Sequence, residues 1–140
     1  MARRSVVTGQ GSTRDIAADE WVPFLDAFTR ENRGAHAVLE VLGEGVGHQV
    51  ATEDRPFDGI SADTKDGERS VWITFGSTAA DNFTHGVHGV TAIRVRPATV
   101  DSGAAVEVEA RDGTTTLLVL SRPEEYALPP AGSGENRPTL

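Results

Sequence analysis

The hydrophobic residues of this chain change their spacing at Gly34, and this change limits the folds that the chain can adopt. Before Gly34, four large apolar residues recur at intervals of three and four, the spacing of one face of an α-helix. They are Trp21, Phe24, Leu25 and Phe28. After Gly34, runs such as 91–96 and 106–109 alternate apolar with polar residues, which is the period of a half-buried β-strand. The sequence therefore predicts one helix followed by strands.

The predicted helix has recognisable ends. Its regular part is expected to begin just before Pro23, because a proline deeper inside a helix would remove a backbone hydrogen bond. Arg30 and Arg33 lie near its carboxyl end, where cations are favoured, and Gly34 follows as a helix stop. We expect the aromatic face of this helix to pack against a sheet.

Seven short segments are predicted as strands from their β-rich composition and from the turn residues between them. They are 37–42, 48–53, 57–63, 70–75, 91–96, 106–109 and 115–120. Asp112-Gly113 is a strong hairpin signal, and residues 76–90 are interpreted as a long loop. The predicted fold class is mainly β (α+β). We expect a small antiparallel β-barrel or a strongly bent sheet of six or seven strands, with the N-terminal amphipathic helix over one end or face.

The two ends of the chain differ in composition from its centre. Residues 1–14 are rich in Gly, Ser, Thr and Arg without periodicity, and residues 128–140 are rich in Pro, Gly and Ser. We interpret the first segment as a disordered lead and the second as a flexible tail. Residues 15–127 are predicted to form a single globular domain, which suits a chain of 140 residues.

The charge of the chain is acidic and unevenly distributed. Lys and Arg number 13 against 21 Asp and Glu, a net charge of −8, and residues 15–120 alone hold 8 basic and 18 acidic residues, a net of −10. A body of this charge repels phosphate groups, so we expect no nucleic-acid partner. The chain has no cysteine, which excludes disulfides and thiolate chemistry.

The apolar runs of the sequence are short. The longest, at 117–120, is far below the roughly 20 residues of a membrane-spanning helix, and we expect no membrane partner. Arg3 and Arg4 are not followed by the apolar stretch that a secretory signal requires. We therefore expect a cytoplasmic location.

Four sequence patches stand out along the predicted domain. They are Glu20-Trp21 in the helix, Gly-Ile-Ser-Ala-Asp-x-Lys-Asp-Gly at 59–67, Thr-His-x-Val-His at 84–88 and Asp-Gly-Thr-Thr-Thr-Leu-Leu at 112–118. Together they resemble a family of small bacterial proteins that is defined only as a domain of unknown function. The resemblance spans roughly residues 15–121. It implies a single domain but no activity, and hence no catalytic residue.

The polar segment 76–90 contains the best candidate ligand-binding residues, Asp81, His85 and His88. Their carboxylate and imidazole groups suit a small ligand or, if a metal is bound, zinc, iron or nickel. The spacing would bring the three side chains together on a helix, but Gly86 and Gly89 disfavour a helix. On a strand, His85 and His88 would point to opposite faces, so convergence needs a turn. We expect neither a metal nor another cofactor, and no catalytic residue can be assigned.

These observations favour a small soluble, non-enzymatic binding or interaction module. Its partner would be another protein, a small ligand, or a second copy of the chain in a homo-oligomer. The first alternative is an enzyme or metal-dependent small-molecule binder centred on 76–90, because function concentrates in long loops on a rigid sheet. The second is an RNA-binding barrel of the Sm type, because the predicted order of one helix followed by five or more strands resembles that of Sm-type proteins. The acidic charge of the chain disfavours this alternative.

The charge distribution generates a first prediction. We expect no binding of single-stranded RNA at about 0.15 M salt, because a protein must neutralise several phosphates to reach useful affinity. Fluorescence anisotropy with a labelled oligonucleotide measures this directly. Micromolar binding that survives this salt concentration would support the Sm-type alternative instead.

Overall fold

The computed structural model describes residues 12–121, apart from residues 44, 46, 77, 78 and 101. Within this part of the chain, one α-helix, α1 (Trp21–Asn32), follows a turn of 3-10 helix at Ala18–Glu20. Eight strands accompany it. They are β1 (Arg14–Asp15), β2 (His36–Gly43), β3 (Gly47–Asp63), β4 (Ser70–Phe75), β5 (Phe83–His88), β6 (Val90–Arg96), β7 (Ala105–Ala110) and β8 (Thr115–Leu120). Short 3-10 turns occur at Lys65–Gly67 and Ala79–Asp81. None of the described helices is long and apolar enough to cross a membrane.

The strands form one antiparallel sheet in the order β1-β6-β7-β8-β2-β3-β4-β5. The prediction of a mainly β fold with one N-terminal helix is confirmed, but the sheet is not closed into a barrel. The edge strands of the described sheet are β1 and β5, and they do not pair with each other. Only Gly89 separates β5 from β6, so the chain makes no hairpin there, and each strand pairs with a different neighbour.

Strand β3 connects two groups of strands within the sheet, because its two parts pair with different neighbours. Its first part pairs with β2, up to Pro56 opposite His36, and its second part pairs with β4, from Phe57 opposite Phe75 onward. The sequence predicted two separate strands at 48–53 and 57–63, whereas β3 is one strand of 17 residues. A register shift between Phe57 and Gly59 marks the point where one set of partners replaces the other.

The prediction of a loop over 76–90 is wrong for its second half, since β5 occupies Phe83–His88. Gly86 in its middle is a weak strand former, and pairing with β4 overrides that local preference. Arg14, which was assigned to the disordered lead, pairs with Val95 in β1. Residues 1–11 and the predicted tail at 128–140 lie outside the described residues.

The aromatic face of α1 enters the core as predicted. Trp21, Leu25 and Phe28 are buried, and Phe24 is partly buried against the same cluster. The ring of Phe28 meets that of Phe57 edge-on, with 6.1 Å between centroids, so the helix and β3 share a core. Buried residues from every strand except β1 complete this core.

The helix also takes the place of a missing strand beside the second part of β3. The hydroxyl of Thr29 donates to the carbonyl of Ile60 and accepts from its N–H, both at 2.9 Å. At the end of the helix, Gly34 donates to the carbonyl of Phe57, and Phe57 donates to the carbonyl of Ala35. These bonds satisfy backbone groups of β3 that face away from β4, which would otherwise be buried without partners.

Thr29 should therefore matter more for stability than an ordinary helical threonine. We expect Thr29→Val to lower the free energy of unfolding by about 1–3 kcal/mol, because two buried backbone groups of Ile60 lose their partner. Thr29→Ser keeps the hydroxyl and loses one methyl group, so its cost should be about 1 kcal/mol or less. Urea denaturation of the two variants measures the difference, and a loss for Thr29→Val no larger than that for Thr29→Ser would show that the hydroxyl is not the main stabilising group of this junction.

Candidate functional site

The structure does not bring together the three residues that the sequence singled out. His85 and His88 lie on β5, three residues apart, and therefore on opposite faces of the sheet. Asp81 belongs to the short turn before β5, where its backbone carbonyl accepts a hydrogen bond from Arg55. Among the described residues, no group of three His, Asp or Glu side chains is placed to hold a metal ion.

The two histidines have different surroundings. His85 is half-buried on the inner face of β5, opposite Ile73, and this burial lowers the pKa of its imidazole. His88 is exposed on the outer face, where its Nδ1 and the Oγ of Ser70 share a hydrogen bond of 3.1 Å. Its ring also meets the indole of Trp72 edge-on, with centroids 5.2 Å apart.

The contact of Ser70 with His88 resembles half of a nucleophile–base pair. A productive pair needs an accessible hydroxyl and a base that a third group orients. Ser70 is only 7% exposed, and no hydrogen bond from His88 to a carboxylate occurs in the described part of the chain. The interaction therefore orients the imidazole beside Trp72 and does not form a complete hydrolytic constellation.

Trp72 is the most unusual side chain on the outer face of the sheet. It is 39% exposed, although its neighbours Val71 and Ile73 are fully buried. Gly86 lies directly opposite it on β5, and a Cβ added there would be 2.5 Å from Cζ3 of the indole. The indole thus packs on the backbone of β5 in a place that only glycine leaves open, with one surface facing solvent.

Trp72 forms part of the wall of a cleft of about 380 Å³ that is open to solvent. Helix α1 provides the opposite wall, and the second part of β3 provides the floor. The lining comprises Asp26, Thr29 and Arg30 from α1, Arg33 directly after it, Asp58, Gly59, Ile60 and Ser61 from β3, and Trp72 and Thr74 from β4. We refer to this set of residues as the Trp72 cleft.

The charged side chains of the Trp72 cleft differ in whether they form hydrogen bonds and ion pairs. Arg33 donates through Nε to the backbone carbonyl of Asp58 at 2.9 Å, and its Nε is 3.7 Å from a carboxylate oxygen of the same residue. Arg30 and Asp26 form no ion pair or side-chain hydrogen bond with any described residue. The cleft therefore offers one unpaired guanidinium and one unpaired carboxylate beside an exposed indole.

Sequence reasoning did not identify this cleft, although one signal for Trp72 was present. The strand pattern places Val71, Ile73 and Phe75 on one face, which leaves Trp72 on the other, as the structure shows. The helical wall had no comparable signal. Arg30 and Arg33 were interpreted only as favourable charges at the helix end, because the position of α1 beside β3 depends on tertiary contacts.

The comparisons with known proteins identify a family but no function. The model described as "Family of unknown function (DUF5335)" matches residues 12–129. Neither the comparison with curated proteins nor that with solved structures gives a match. Function must therefore be argued from the geometry of this chain.

The burial of His85 generates a prediction on the pH dependence of stability. Well above pH 6.5, the ordinary pKa of histidine, the imidazole is neutral in both the folded and the unfolded chain, so its protonation does not affect stability there. Below that pH the unfolded chain binds the proton more readily, because burial lowers the pKa in the folded state. Stability is therefore lost as the pH falls from about 7 towards 5.

Urea denaturation at several pH values, for the natural chain and for His85→Gln, isolates this contribution from that of the carboxylates. The variant should lose less stability than the natural chain over the same interval. Parallel pH profiles of the two proteins would contradict the prediction.

Proposed function

This chain belongs to the family of unknown function DUF5335, and we propose that it is a non-enzymatic interaction module that recognises a protein partner in the Trp72 cleft. The observation that carries the proposal is the exposed indole of Trp72, supported from behind by Gly86 and placed near the unpaired Arg30. Tryptophan and arginine are the residue types that dominate binding energy in protein interfaces.

The shape of the cleft favours a protein partner over a small molecule. Sites for small molecules enclose most of the ligand surface and are mainly apolar. This cleft is open to solvent, and most of its lining residues are polar or charged. An extended or looped protein segment can cover such a surface, because its backbone supplies hydrogen bonds at several points along its length.

The side chains of the cleft also indicate what the partner segment presents. An apolar or aromatic side chain would pack on the indole of Trp72. A carboxylate would pair with Arg30, whose planar guanidinium suits two parallel hydrogen bonds. The hydroxyls of Ser61 and Thr74 are within the same cleft and can bind backbone groups of the segment.

Site-specific photo-crosslinking in the native host tests the proposal. A photo-reactive phenylalanine derivative replaces Ser61 in the full chain, and adducts are identified by mass spectrometry. We expect one predominant adduct with another protein. It should decrease at least about tenfold when Trp72→Ser or Arg30→Ala is added, because each change removes an expected anchor.

Matched controls distinguish binding in the cleft from general adhesion. Arg111→Ala makes the same change of charge on an exposed residue outside the cleft, and it should leave the adduct unchanged. The photo-reactive residue at Val50, which is exposed near the β2–β3 hairpin, should give no adduct of the same mass. An adduct that persists in both cleft variants, or that forms equally from position 50, would refute the proposal.

A further inference from the structure

Within the described sheet, β5 pairs with a strand on one side only, and the direction of its backbone hydrogen-bonding groups follows from Thr29. Because the Thr29 hydroxyl binds both backbone groups of Ile60, these groups point away from β4. Ile73, directly opposite Ile60, therefore directs its own groups towards β5 and pairs with His85. The N–H and C=O groups of the neighbouring Thr84 and Gly86 must then point outward, away from the sheet.

The two edges of the described sheet are protected very differently. Strand β1 has two residues, Arg14 and Asp15, and both are charged. Strand β5 has six residues, with no Lys, Arg, Asp, Glu or Pro among them. Natural proteins normally blunt an exposed edge with charge, proline, a bulge or a short strand, and β5 has none of these within Phe83–His88.

The chain around this edge is almost without charge. Charged residues make up 24% of the sequence, yet residues 70–93, which include β4 and β5, contain a single one, Asp81. Two exposed aromatic residues lie in the same segment, Trp72 and Phe83, the latter 36% exposed. In a chain with a net charge of −8, this is the surface on which two copies can meet with the least electrostatic repulsion.

We propose that the β5 edge is a self-association surface, on which β5 of a second copy adds antiparallel across a two-fold axis. The pairing makes a continuous sheet through two molecules, and it is isologous, so the same edge serves both copies. The proposal is independent of the Trp72 cleft as a binding site, because it rests on the backbone edge and the charge distribution.

A two-fold axis next to His85 gives this pairing a definite register. Thr84 of each copy exchanges hydrogen bonds with Gly86 of the other, which uses the outward groups of both residues. The antiparallel addition closes the assembly at two copies, because it consumes β5 and leaves only the short, charged β1 as an edge of each described sheet.

Sedimentation equilibrium of the full chain tests the proposal. We expect a mass twice the 14.8 kDa of the single chain. Thr84→Pro removes one outward N–H from each copy without removing a backbone hydrogen bond between β4 and β5, and should weaken the dimer by about tenfold or more. This variant and its control Thr84→Val both lose the 3.2 Å hydrogen bond between the hydroxyls of Thr74 and Thr84, so the comparison isolates the N–H. Thr84→Val keeps the N–H and should remain dimeric.

A second variant covers the case in which proline disturbs the fold. Thr84→Lys keeps the backbone N–H but places a charge at the edge of each copy, and it should also give a monomer. Circular dichroism and the thermal midpoint show whether each variant is folded. A natural chain that stays monomeric at about 100 μM, or a dimer that both folded variants leave intact, would overturn the proposal.

Hydrogen exchange shows whether a second copy or another segment of the same chain covers the β5 edge. In the dimer, the amides of Thr84 and Gly86 should be protected at high protein concentration and should exchange faster on dilution. Protection of these amides in a monomer, independent of concentration, would mean that another segment of the same chain covers the edge, and the proposal would be wrong.

Discussion

The hydrogen bonds between Thr29 and Ile60 are the interaction on which the arrangement of this protein depends. Strand β3 is too long for a single set of neighbours, and β2 leaves it at Pro56. Beyond that point one side of β3 would expose its backbone to the protein interior. Helix α1 meets this need with one hydroxyl that both donates and accepts, and the backbone of Gly34 and Ala35, just after the helix, supplies the other two bonds. A buried polar group without a partner is costly, so this junction fixes where the helix can lie.

The position of the helix in turn creates the cleft. Because α1 lies along the side of β3 at Gly59 and Ile60, Arg30 near its end and Arg33 directly after it line the same space as Trp72. A Cβ added at Gly59 would be 3.3 Å from the methyl group of Thr29, so the close approach of helix and strand leaves little room for a larger residue. The cleft is therefore a consequence of how the backbone of β3 is satisfied.

The sequence predicted those parts of the fold that are governed by local periodicity. The aromatic face of α1, the stop at Gly34 and the hairpin at Asp112-Gly113 all depend on residues close in sequence. Gly34 and Gly113 have the positive φ angles that these stops and turns require. The turn residue Asp112 also accepts hydrogen bonds from the N–H and the hydroxyl of Thr114, which lower the pKa of its carboxyl group.

Features that depend on residues distant in sequence could not be predicted from the local pattern. Strand β5 forms because Phe83, His85 and Val87 meet Phe75, Ile73 and Val71, and nothing within residues 83–88 alone indicates this pairing. The continuity of β3 through its register shift depends on two different neighbours. The Trp72 cleft combines three elements that are distant in sequence, so only its outward indole could have been expected from the strand pattern.

Charged side chains are concentrated on one side of the sheet, and the other side has few. On the β6–β7 side, Arg94 contacts three carboxylates, those of Asp15, Glu107 and Glu109, at 2.9, 3.1 and 2.6 Å. The hydrogen bond with Glu109 is the main cause of the raised pKa of its guanidinium. Arg96, two residues further along β6, donates instead to the backbone carbonyl of Gly103 at 2.9 Å.

The Arg94 guanidinium, which contacts acids of both β1 and β7, also secures the short edge strand β1, because Asp15 is part of that strand. The opposite edge has neither charges nor such a clamp. Of the two edges of the described sheet, β5 is therefore the one that neither charged residues nor an ion pair protects against a further strand. The asymmetry follows from the placement of a few residues, since Asp81 alone interrupts the uncharged stretch of 70–93. The same charge pattern disfavours contact between copies over the acidic part of the body, and this is the physical reason why we propose association at β5.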